Sequence, residues 1–229
     1  PKGTNTPLPP PTAIPTAVPA PTPGYVTSGT KRLVVASGVP IHETLVPWRS
    51  SSQIFLQRPM YEHLLSTDRV TGYYQPQLAK SWDVSADAKA WTMHLVEGVE
   101  FHKGKGEFTA KDVVHTWKRI VDDGGTMATD RSQWTELIAG EDTFGIPDDH
   151  TIVLNLTRPV PELPFRLSTR SGNMLVTSAD HYAADGADKM EEDPAGTGAY
   201  KYVGRAQGEA VNYERVENHW RHTPEFQEM

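Results

Sequence analysis

Leu78-Ala79-Lys80-Ser81-Trp82-Asp83-Val84, then Trp91-Thr92-Met93-His94-Leu95-Val96, then Phe108-Thr109-Ala110-Lys111-Asp112-Val113-Val114-His115-Thr116-Trp117-Lys118-Arg119-Ile120 are the runs that decide the fold. The first two read as strands separated by a Ser-Ala-Asp-Ala-Lys turn. In the second, Trp91, Met93 and Leu95 share one face while Thr92 and His94 share the other, the alternation of a half-buried strand. Thr109 is a good helix N-cap, with Asp112 as its acidic partner in the first turn. Val113, Val114, Trp117, Ile120 and Val121 then follow helical spacing until Gly124-Gly125 ends the element. The sequence therefore predicts strand, turn, strand, Gly/Lys loop and capped helix, with Trp117 packed beneath that helix.

Working outward, Lys31 to Ala36 is a short β-branched run that reads as a buried strand. Trp48 to Ser52 is a polar turn. Gln53 to Leu65 has helical spacing through Phe55, Leu56, Met60 and Leu64, and Pro59 marks a kink or a late start. Downstream, Asp148-Asp149-His150 is a turn before a strand carrying Ile152, Leu154 and Leu156. Pro159, Pro161 and Pro164 break the chain ahead of a short helical stretch at Phe165 to Leu167. Ser178 to Ala184 reads as another brief helix. A hairpin of Tyr200 to Val203 and Ala210 to Arg215 turns at Gln207-Gly208. Residues 1 to 24 are Pro, Thr and Ala with one charge, which predicts an extended polyproline-like spacer, read as a tether.

The formal net charge of −7, without any Lys/Arg run, argues against a nucleic-acid partner. Cysteine is absent, so disulfides, thiolate metal sites and Cys nucleophiles are excluded. Gly104-Lys105-Gly106 lacks the P-loop spacing, and there is no Gly-x-Ser-x-Gly elbow. His94, His102 and His115 are the candidate metal trio, but no His-Glu-x-x-His pattern supports it. The carboxylate pairs Asp122-Asp123, Asp148-Asp149 and Glu191-Glu192 sit in turns, where solvation explains them. No cofactor is expected.

The opening block resembles the signature region of family 5 extracellular solute-binding proteins, the peptide-binding components of ABC importers. Pro194-Ala195-Gly196-Thr197-Gly198-Ala199-Tyr200 is similar to the family's Gly-Thr-Gly-Pro-Tyr motif, with Ala199 in place of Pro. Asn218-His219-Trp220 is similar to its Asn-Pro-x-Tyr-Trp segment, with the Pro missing and the aromatic shifted. Ile146 to Leu156 and Thr157-Arg158-Pro159-Val160-Pro161 resemble the strand and Pro-rich turn between them. Glycines 196 and 198 fit either φ values closed to other residues or a close backbone approach, and read as architectural.

The resemblance implies a two-lobed α/β fold, type II periplasmic-binding-protein-like. Residues 25–65 and 168–229 would form an incomplete first lobe. Residues 66–167 would form an inserted small α+β domain, and the second lobe would be missing. It implies capture of a small solute, a peptide first, outside the cytoplasm in the periplasm or at the cell surface, with delivery to ABC permease subunits. Nickel-, haem- and oligosaccharide-binding members are the alternatives. Contact with the membrane would come only through an N-terminal lipid anchor upstream of Pro1. By position, Trp48, Arg49, Ser50, Ser51 and Ser52 fall where relatives pair with ligand backbone, and Ser171, Gly172 and Asn173 fall on the neighbouring rim. The implied chemistry is binding, not catalysis. A hydrolase on a related scaffold and a surface interaction or chaperone-like lipoprotein are the readings from other classes. A single lobe is expected to bind weakly and to self-associate through an unpaired sheet edge.

Overall fold

A computed structural model describes residues 31–36, 43–49, 54–123, 128–171 and 174–229. Its central feature is an antiparallel sheet of four strands in the order β3-β4-β6-β5. These are β3 (Ala79–Val84), β4 (Ala90–Leu95), β5 (Phe144–Asp148) and β6 (Thr151–Asn155). On β4 the alternation is realised: Trp91, Met93 and Leu95 are buried, and Trp91 and Met93 face Leu154 and Ile152 of β6 across the ladder. Paired apolar side chains on one face are the unit that fixes this register.

Helix α2 (Ala110–Asp122) places Val113, Trp117 and Ile120 in the core shared with those strands. Trp117 is 5% exposed and meets Phe144 edge-on, with ring centroids 5.2 Å apart. The helix begins as its sequence predicts. Asp112 Oδ2 accepts the Thr109 N–H at 2.8 Å, capturing an otherwise orphaned donor. Its Oδ1 accepts the N–H of Ala179 at 2.8 Å, the first residue of α5 (Ala179–Glu192). One buried carboxylate thus ties two helix starts together. Burial outweighs these hydrogen bonds and pushes the Asp112 carboxyl up to about 6. Helix α3 (Ala128–Leu137) adds Trp134 and Leu137 to the same core. The helix continuing to Asp122 agrees with the sequence, while the stop at Gly124-Gly125 lies outside the described residues.

The second sheet is built around the hairpin of β7 (Tyr200–Ala206) and β8 (Ala210–Arg215), whose turn uses Gly208 at φ +74°. Gln227 to Met229 adds to β8, with the Tyr213 N–H on the Met229 carbonyl at 2.8 Å and the Arg215 N–H on that of Gln227 at 3.0 Å. Beyond it lies the amino-terminal segment. Arg32 pairs with Glu228 in parallel, and the Leu33 N–H donates to the Glu228 carbonyl at 2.9 Å. A smaller core of Leu45, Met60, Tyr61, Leu175, Tyr202 and Tyr213 fills this region.

Two expectations are corrected. The helix predicted over Gln53 to Leu65 is confined to α1 (Ile54–Gln57), and Leu65–Thr67 is instead strand β1, paired with β2 (Tyr74–Pro76). Pro59 and Met60 leave the helix because their carbonyls accept bonds from Tyr200 and Gly198. The strand at Lys31 to Ala36 is not buried: Val34 is 78% and Val35 66% exposed, with pairing among the described residues only at its start. The brief helix expected at Ser178 to Ala184 is the first part of α5, capped by Ser178 and broken by Gly186 at φ +75° and ψ 172° before a second turn runs on to Glu192. The short helix near Phe165 is α4 (Leu163–Arg166).

Candidate functional site

The segment before α1 is the first candidate binding loop. Glu191, at the end of α5, accepts the Thr44 hydroxyl at 2.5 Å, the Leu45 N–H at 3.1 Å and the Val46 N–H at 3.2 Å. Arg205 of β7 reaches the same carboxylate at 2.8 Å. These bonds seat the turn Pro47–Arg49. Within it Trp48 is 1% exposed, its Nε1–H donating to Asp123 at 3.0 Å and its ring edge-on to His115 and Tyr182. The Trp48 ring therefore packs the loop to α2 and α5 and offers no surface to a solute. The expectation for Trp48 is corrected to a packing role. Arg49 projects outward and pairs with Asp188 at 3.0 Å. Ser171 spends its hydroxyl on the Arg166 carbonyl at 2.9 Å, within its own turn. Ser50, Ser51, Ser52, Gly172 and Asn173 lie outside the described residues.

The Gly196-Thr197-Gly198 strip is where the structure concentrates its precise geometry. It runs against Pro59 and Met60, with the Gly198 N–H on the Met60 carbonyl at 2.7 Å and the Tyr200 N–H on that of Pro59 at 3.0 Å. A Cβ on Gly196 would lie 2.0 Å from the Met60 oxygen, and one on Gly198 2.4 Å from the Pro59 oxygen. Neither glycine has a positive φ. Close approach of two backbones is the reason for both.

Beside this strip is a buried charge cluster that sequence reasoning did not single out. Glu62, 3% exposed, accepts Arg221 Nε at 3.0 Å and Nη2 at 2.6 Å on one oxygen, and the Trp220 indole N–H at 2.9 Å on the other. Gln77 donates to it at 3.3 Å. Arg221 lies over the Trp220 ring, 5.3 Å from its centre. The Asn218-His219-Trp220 motif was the available signal, but its partner Glu62 is too distant in sequence for spacing to reveal.

The three histidines weighed as metal ligands go to three places: His94 pairs with Asp83, His102 with the Gly198 carbonyl, and His115 with Trp48 and Tyr182. Among the described residues no group of His, Asp and Glu is arranged to hold a metal ion. No helix among them is long and apolar enough to cross a membrane. A hollow of about 700 Å³ lies against Leu33 to Ala36, α1 and β8, walled by Val34, Phe55, Leu56, Val211 and Met229. Neither Arg49 nor Ser171 lines it.

The unit is mixed α/β, with a glycine strip docked on the residues after α1 and Trp220 anchored on a buried carboxylate. The profile described as "Bacterial extracellular solute-binding proteins, family 5 Middle" matches residues 73–229, and the chain belongs to that family. Family members are binding proteins. The chain is 27% identical over 180 residues to heme-binding protein A of Haemophilus influenzae, covering 71% of this chain and 32% of that protein. It is 27% identical over 184 residues to di/tripeptide-binding protein 2 of Pseudomonas aeruginosa, covering 72% and 34%. Among solved structures, DppA from Helicobacter pylori in complex with the peptide STSA superimposes with a TM-score of 0.69 at 24% identity, covering 81% of this chain and 39% of that one. That likeness establishes the fold. The chain spans about a third of the length of the curated relatives it matches.

Proposed function

We propose that this chain is part of an extracytoplasmic protein that captures a small solute, most readily a peptide, and delivers it to ABC permease subunits. The observation that carries this reading is the family match over residues 73–229. Relatives named as di/tripeptide- and oligopeptide-binding proteins favour peptides, while heme-binding protein A and a structure of NikZ with Ni(L-His) keep haem and nickel as the competing solutes.

In this reading residues 25–65 and 168–229 belong to one lobe and 66–167 to an inserted domain. The polar rim is formed by Arg49 with Ser50, Ser51 and Ser52, and by Ser171, Gly172 and Asn173. The outward Arg49 on a turn braced by Glu191 is the described residue best placed for such a role. Binding proceeds without bond cleavage, through burial of the solute between lobes. Residues 1–24 serve as a spacer from a lipid anchor.

The test is calorimetry on the protein carrying this chain together with a second lobe. Peptides of two to five residues, haem and nickel–histidine are titrated separately, and peptides are recovered intact afterwards. Heat with peptides, weakened by Arg49→Ala and Asn173→Ala, supports the proposal. Heat only with haem or nickel reassigns the solute, and a cleaved peptide overturns the binding-only role. Unchanged affinity in both variants removes the rim. Radiolabelled fatty-acid incorporation in cells tests the anchor.

A further inference from the structure

We propose that His102 and His219 clamp the Gly196–Gly198 strip and that His102 makes this clamp acid-sensitive, so that acidification frees the strip from Pro59 and Met60 before the main sheet opens. His102 comes from the turn His102–Gly104 between β4 and α2, and His219 from the segment after β8. Their Nε2 atoms lie 2.8 Å from the Gly198 carbonyl oxygen and 3.0 Å from that of Thr197. The His102 backbone N–H adds a bond to the Gly196 carbonyl at 2.8 Å. Three consecutive carbonyls are therefore held by two residues far away in sequence.

A carbonyl only accepts, so each imidazole carries its proton on Nε2. Nδ1 of His102 is then a bare nitrogen, buried and without a hydrogen-bond partner among the described residues. The neutral ring tolerates this arrangement. A second proton would turn Nδ1 into a charged donor with no acceptor, the expensive way to leave a buried group. The charged and titratable groups around it offer no relief. His219, Lys103 and Lys201 act on it with positive charge. Asp193 is engaged by Lys103, and Glu62, 3.9 Å from His219 Nε2, is already filled by Trp220, Arg221 and Gln77. The Nδ1 of His219 faces the backbone N–H groups of Arg221 and His222, each at 3.4 Å, which holds the same tautomer there.

Burial, with a smaller push from His219, Lys103 and Lys201, outweighs the hydrogen bond to Gly198 and holds the His102 imidazole down to about 4 against an ordinary 6.5. The sign follows from linkage. A depressed folded-state pKa makes the unfolded form bind the proton first, so the clamp's contribution is complete above about pH 6.5 and is lost as pH falls toward 4. The strip should respond before β4 because its attachment to Pro59 and Met60 rests on two backbone bonds, whereas β4 is paired on both sides.

The experiment is amide hydrogen exchange of peptides covering residues 194–202, at about pH 7.5 and about pH 5, corrected for intrinsic rates and referenced to β4. The variant is His102→Gln, whose side-chain amide can donate to the same carbonyl without titrating. Wild-type strip protection should fall by roughly tenfold more than that of β4, and the variant should lose this difference. Equal losses in strip and β4, or the same excess loss in the variant, overturn the clamp. If the variant does not fold, an NMR titration of wild-type His102 decides. A midpoint below about pH 5 supports the clamp, and one above that overturns it.

Discussion

Arg221 places two nitrogens on a single oxygen of Glu62, at 3.0 and 2.6 Å, while the carboxylate stays 3% exposed. Removing the guanidinium would leave a buried negative charge held by the Trp220 indole and Gln77. Arg221→Ala should therefore cost about 2–3 kcal/mol, at the low end for a buried pair because Arg221 itself is partly exposed. Urea denaturation measures this, and a double-mutant cycle with Glu62→Gln should reveal coupling above about 1 kcal/mol. Additive single effects would show that the contact contributes nothing of its own.

Gly198→Ala forces a Cβ to within 2.4 Å of the Pro59 oxygen, and backbone cannot step aside as a side chain would. The expected loss is about 2–3 kcal/mol or more. Gly204→Ala is the control, since nothing lies within 4 Å of its Cβ position. Its denaturation midpoint should stay near wild type.

Trp117→Ala should cost about 3–5 kcal/mol, because the ring is buried in the main core and packs edge-on against Phe144. A midpoint that hardly moves would contradict the packing.

The pH dependence of stability combines opposing groups. Burial lowers His102 and His115 to about 4, so both reduce stability as pH falls from 6.5. Asp112, raised to about 6, acts in the other direction: its folded form binds the proton first, so lowering the pH through 6 adds stability. Two imidazoles against one carboxyl leave a net loss on acidification. Asp112→Asn removes the opposing group and should steepen that loss, by at most about 1.4 kcal/mol per pH unit. Urea midpoints between pH 7 and pH 4.5 give the slope, and an unchanged slope would place Asp112 at an ordinary pKa.

Legibility in the sequence followed the locality of the physics. The β3–β4 pair and α2 were readable because alternation and capping act within a few residues, as at Trp91-Met93-Leu95 and Thr109-Asp112. Met60 and Leu64 look helical by spacing, yet Met60 is buried in the smaller core with Tyr202 and Tyr213 and Leu64 in the main core, placements that no local pattern encodes. Helix α3 escaped notice because its apolar residues, Trp134 and Leu137, do not make a sustained stripe. Arg49 is legible as a polar turn residue, but the buried fate of Trp48 depends on Asp123, His115 and Tyr182. Glycines 196 and 198 were read as close approach or special φ, and the structure realises the first.

The side-by-side placement of Lys31–Leu33 and Gln227–Met229 has a kinetic consequence. The Lys31 N–H bonds to the Gln227 side chain across 196 residues of sequence. Closing so long a loop costs entropy before any strand contact compensates for it, and non-local pairing of this kind slows folding. The β3–β4 hairpin and α2 can form while the chain is still being made. Arg32 and Leu33 cannot pair until residue 228 has been synthesised, so the earlier segment waits through nearly the whole described fold for the neighbour that fixes it.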